Sequence, residues 1–110
     1  MFKGLGGLGD MAKMMAAAKD MQAKMADMQE NLGKITVTGE SGAGLVKATA
    51  TAKGDLTGLD IDPSIFVASE KEVVEDLILA AIKDAQRRAQ DISAEEMARL
   101  TRELGLPADM

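Results

Sequence analysis

The chain of 110 residues has no cysteine, histidine, tryptophan or tyrosine, and only two phenylalanines and two prolines. Without thiol or imidazole it has no disulfides, no zinc site built on Cys or His, and no nucleophile activated by a Cys–His or Ser–His pair. With so few aromatics it has no platform on which single-stranded bases could stack. Long apolar runs are missing too. The longest, Leu77 to Ile82, falls far short of the roughly 20 residues needed to cross a bilayer, so no membrane partner is expected. The start, "MFKGLGGLGDM", lacks the continuous apolar stretch of a signal peptide, and a cytoplasmic location is expected.

What is present is charge of both signs with an acidic surplus, net −5 at pH 7. As a whole such a chain repels nucleic acid. The distribution is uneven, however: residues 1–34 hold five Lys against four acids, and the deficit lies in the remainder. A polyanion would have to meet a local cationic surface.

Residues 2–9, "FKGLGGLG", hold four glycines, each costing about 1 kcal/mol in a helix interior relative to Ala, and read as a flexible arm over 1–9. Gly4, Gly6 and Gly9 match the dinucleotide-binding spacing, but no strand precedes them to position it. From Asp10 as N-cap to Leu32, with Gly33 as a stop, the composition predicts a helix of about 22 residues, near 33 Å long. Met11, Met14, Ala18, Met21, Met25, Met28 and Leu32 alternate in steps of 3 and 4, an unbroken heptad seam. A seam of this length requires another helix, within the chain or across a homodimer.

Residues 34–62 change to a period of two. "KITVT", "LVKATATA" and "LTGLDID" read as three antiparallel strands, joined by "GESGAG" and "KGD". Ser69 with Glu72 forms a capping box for a helix to about Asp91, whose apolar face is Val74, Leu77, Ile78, Ala81, Ile82, Ala85, Ala89 and Ile92. Ser93 with Glu96 repeats the box, which predicts a separate short helix carrying Met97, Leu100 and Leu104 before Gly105 and Pro107. The fold class is therefore α+β, an α-β-β-β-α order plus a short terminal helix, with one domain over 10–104 and a tail over 105–110.

The glycine-rich run "VTGESGAGLVK" at 37–47 separates Gly39 and Gly44 as a phosphate-binding loop would. Leu45 and Val46 follow where Lys and Ser or Thr are needed, so by spacing it is a hairpin loop. Its wording, with "IDPS" at 61–64 and "EDL", "AA", "DA" and "RR" between 75 and 88, resembles the YbaB/EbfC family of bacterial nucleoid-associated proteins. The glycine arm and the Met- and Gln-rich helix are similar to that family as well. The resemblance covers residues 1–92; beyond 93, a short acidic helix replaces the Gly- and Pro-rich tail of many members. It implies an intimate homodimer with projecting helices, a nucleoid-associated DNA-binding protein of the bacterial cytoplasm without enzymatic activity; the shortage of stacking aromatics favours double-stranded DNA, and no cofactor or small-molecule substrate is expected.

Candidate contacts are the helix cations. Asp20 precedes Lys24 by four, Asp84 precedes Arg88 by four, and Lys13 has Asp10, so these three have nearby acids. Lys19 and Lys83 have none at helical spacing, and Arg87 has Asp91. Lys83 and Arg87 are like charges one turn apart, an arrangement a bridging phosphate would relieve. With the placement the resemblance implies, the DNA-binding set is Lys13, Lys19, Lys24, Lys83, Arg87 and Arg88, and the helix seam is Met11, Met14, Met21, Met25, Met28 and Leu32. A competing reading is a protein-interaction scaffold that uses the adaptable methionine seam, with DNA incidental. An enzyme has little to stand on: Asp60 and Asp62 share one face of a strand without the glycine and spacing of a calcium loop, and no metal site is expected.

Overall fold

A computed structural model describes the backbone over residues 2–105 and the side chains over 9–105. Helix α1 (Phe2–Leu32) leads into strands β1 (Thr36–Ser41), β2 (Val46–Thr51) and β3 (Leu56–Ile61), and helix α2 (Lys71–Glu103) closes the order. The three strands form an antiparallel meander in the order β1-β2-β3. The shape is long, 82 × 24 × 18 Å, because both helices exceed 30 residues and project past a small sheet.

Three helix boundaries differ from the sequence reading. The helical backbone of α1 starts at Phe2 and not at Asp10, passing through the glycines expected to form an arm. Extending an existing helix adds one hydrogen bond per residue without a new nucleation cost, so the weak glycine propensity is overridden. Ser69 does not cap α2: it lies inside a 3-10 turn (Ala68–Glu70), and Glu70 takes the N-cap position without a side-chain bond. The predicted break at Ser93 is absent, and α2 runs on as one helix to Glu103. No Gly or Pro interrupts residues 90–94, and continuing the helix lets Leu100 bury against α1. The tail residues 106–110 lie outside the described residues.

The core has two parts. In the first, Ala81 and Ala85 of α2 lie on Val46, Ala48 and Ala50 of β2, flanked by Val37, Leu77, Ile78 and Ile82. Gly39, in β1 and not in the loop, is where the helix comes closest. A Cβ there would lie 2.1 Å from the Ala85 nitrogen and 2.6 Å from the Ala81 carbonyl oxygen, so only glycine fits. In the second part, Met28 and Leu32 of α1 pack with Ala52 and Leu100, supported by Met25, Ile35, Ile92 and Leu104.

The hairpin joining β1 to β2 answers to the glycine-rich run. Gly42, Ala43 and Gly44 all take positive φ, and the Gly44 and Leu45 N–H groups bond back to Ser41 and Gly42, two overlapping tight turns. This left-handed path matches the twist of the paired strands. The run is a turn, without the strand-to-helix geometry of a phosphate loop.

Candidate nucleic-acid interface

The six sequence-predicted cations fall into two groups. Lys13, Lys19 and Lys24 lie on α1, and Lys83, Arg87 and Arg88 lie along α2 where it crosses β1. Lys13, Lys19, Lys83, Arg87 and Arg88 are exposed, and Lys24 is half-buried. Within the chain the two groups stay on separate elements, and among the described residues α1 packs on α2 around Met28, Leu32 and Leu100, away from Lys13 and Lys19.

The α2 group is organised by Asp84. The Glu40 backbone N–H, on the free edge of β1, donates to Asp84 Oδ2 at 3.0 Å. Arg88 Nε donates to the same oxygen at 3.2 Å and Arg87 Nη2 to Oδ1 at 2.7 Å. The side chain of Asp84 is 17% exposed, whereas Arg87 and Arg88 remain 69% and 52% exposed. The Glu40 N–H, followed by the Arg88 guanidinium, holds the Asp84 carboxyl below its ordinary pKa despite partial desolvation. Each arginine spends one donor on Asp84 and keeps the rest of its five-donor fork facing outward. Arg87 thus pairs with Asp84, three residues back, and not with Asp91 as its spacing suggested.

Elsewhere Lys24 pairs with Asp20 at 3.5 Å, as predicted, while no Asp10–Lys13 pair occurs among the ion pairs of the described residues. Lys24 also lines a cleft between the helices with Asp27, Asn31, Glu96 and Arg99. Arg99, bonded to Glu96, was not among the predicted cations; its signal is a Glu three residues before it within what proves to be one helix. Lys47 faces Glu40 and Asp60 across the sheet, so acids flank it on both neighbouring strands.

The seam divides. Met28 and Leu32 are buried and Met25 is half-buried, whereas Met11, Met14 and Met21 are 60%, 70% and 40% exposed. Asp62, weighed above as a metal ligand, instead accepts the Ser64 N–H at 2.9 Å and caps the turn after β3; the Ser64 bonds lower its pKa. Among the described residues no group of three acids converges as metal ligands.

With cations displayed on helices, Phe66 the one exposed aromatic and no ligand cluster among the described residues, the arrangement suits a phosphate-lined partner. The sequence profile of the YbaB/EbfC DNA-binding family matches residues 7–104. The chain belongs to the YbaB/EbfC family. This is a DNA-binding family and not a family of enzymes. A nucleoid-associated protein of Bradyrhizobium diazoefficiens is 47% identical over 100 residues, covering 91% of this chain and 94% of that one. Another, of Granulibacter bethesdensis, is 45% identical, covering 92% and 94%. A third, of Desulfotalea psychrophila, is 42% identical, covering 89% and 92%. The fold is shared with an uncharacterised Helicobacter pylori protein of known crystal structure, at a TM-score of 0.73 and 19% identity, over 81% of this chain and 94% of that one.

Proposed function

We propose that this YbaB/EbfC protein binds duplex DNA in the bacterial nucleoid as a homodimer, through phosphate contacts with little sequence selectivity. It needs no cofactor and acts on no small-molecule substrate. The observation that carries the reading is the exposed row Lys83, Arg87 and Arg88 on a helix packed closely against β1 at Gly39. Family membership supports DNA as the partner, and the relatives' names support the nucleoid as the place. The absence of Trp and Tyr favours backbone contacts over base stacking.

Pairing of two copies is supported by apolar surface that one subunit leaves open. Leu59 lies opposite Ala48 and Leu56 opposite Ala50, hence on the face that α2 covers at β1 and β2, yet both leucines are about half exposed. Met11, Met14 and Met21 add a second open strip on α1. A second copy would bring another set of cations alongside the first, which an acidic chain of net −5 requires.

The test is a duplex titration at several salt concentrations, with the particle mass measured in parallel. Binding should weaken steeply with salt, and Lys83→Ala with Arg87→Ala should lower affinity and flatten the slope by roughly 0.9 for each phosphate no longer neutralised. An unchanged slope, or a monomeric particle, would overturn the reading.

The exposed methionines favour one alternative, a scaffold that captures protein partners. Met14→Glu with Met21→Glu would then abolish partner capture and leave DNA affinity per folded particle untouched.

A further inference from the structure

We infer that Asp84 is a built-in competitor for the DNA phosphates, holding Arg87 and Arg88 and thereby setting how tightly the α2 surface binds. The inference rests on the DNA-binding reading above. Its ground is the geometry at the β1 edge. Both carboxylate oxygens are used, Oδ1 by Arg87 and Oδ2 by Arg88 and the Glu40 N–H. A carboxylate presented to two guanidiniums offers anionic oxygens for the same charge-assisted hydrogen bonds as the phosphate they would meet on DNA. The backbone donor holds the carboxylate at the β1 edge, and Ala81 and Ala85 hold its helix against β2. A phosphate at this surface must therefore draw the two arginines from Asp84 or accept their remaining donors beside a resident negative charge.

The arrangement makes a sign prediction. Asp84→Asn retains a carbonyl oxygen for the Glu40 N–H but removes the charge. The variant should bind duplex DNA roughly three- to tenfold more tightly at low salt, with a steeper salt slope. Asp91→Asn changes net charge equally, two turns further along α2, in a residue that forms no ion pair among the described residues. It should have a clearly smaller effect. In an Arg87→Ala, Arg88→Ala background, Asp84→Asn should tighten binding no more than Asp91→Asn does. A readout that needs no variant is the Arg88 Nε–H resonance of the full chain, which should move when duplex is added.

If removing both arginines weakens binding but Asp84→Asn fails to tighten it, or tightens it no more than Asp91→Asn, the competitor role is overturned and the interface stands. A still Arg88 resonance together with an unchanged affinity of Asp84→Asn likewise overturns the role. If removing both arginines leaves affinity unchanged, the α2 interface itself falls, and the competitor with it.

Discussion

Helix α2 makes two unlike contacts. Its middle lies on the sheet through Ala81, Ala85 and Gly39, with no room for a methyl group. Its end meets α1 through Leu100, Met28 and Leu32. At its centre the first contact brings backbone close to backbone, with only Gly and Ala between, and larger side chains such as Leu77, Ile78 and Ile82 only flank it. The second is built from long side chains, of which methionine adapts most readily. One amphipathic stripe therefore serves both as a rigid seat for the charged row and as a forgiving attachment for a projecting helix.

Mutation can separate the two contacts. The most destabilising change should be Leu32→Ala, because Leu32 is 1% exposed and a buried Leu→Ala costs about 2–5 kcal/mol. Met14→Ala, at an exposed place on the same seam, should lie within about 0.5 kcal/mol in the isolated subunit. Denaturant unfolding compares the two, and equal destabilisation would mean that the seam is covered along its whole length. Gly39→Ala should cost about 1–3 kcal/mol from a single added methyl, since Cβ would meet the backbone of Ala85. Within the α1–α2 contact, Met28→Leu should cost under about 1.5 kcal/mol. If Gly39→Ala proved the milder of these two, the distinction between rigid and adaptable contacts would fail.

The smallest expected effect is a pH dependence at the rigid contact. Asp84 and Asp62 both have lowered pKa values in the folded chain, so the folded state holds their protons less tightly than the unfolded state does. Stability from these groups is therefore present above the ordinary carboxylate pKa, near 4, and is lost as pH falls through their depressed folded values. Acid titration of unfolding should show a flatter acid limb in Asp84→Asn than in the unmodified chain. An identical limb would mean that the Glu40 N–H bond does not anchor β1 to α2.

Much of this was legible in residue spacing. The period-two runs gave three strands in their true order, and the 3,4 seam and the Ala-rich face predicted a helix on each side of them. Wording around 37–47 and 61–88 pointed to the family. What misled were the local stop signals. Ser93 with Glu96 has the form of a capping box, but capping requires the preceding residue to leave the helix, and burying Leu100 against α1 kept it in. Ser69 has the same form and sits in a 3-10 turn. Gly39 looked like loop because glycine usually marks turns, whereas here its role is to admit a helix backbone.

By itself, the order of residues determined the element types, the hairpin with its left-handed glycines, the lack of thiol and imidazole groups and the supply of helix cations. These follow from local backbone preference, periodicity and inventory. Only the tertiary structure decided where the methionine seam passes from covered to open. It alone placed Asp84 on the Glu40 N–H, 44 residues away. The reason is physical: a contact between distant segments depends on how closely helix and sheet approach, and that spacing is set by side-chain volumes on both partners at once, which no local pattern records.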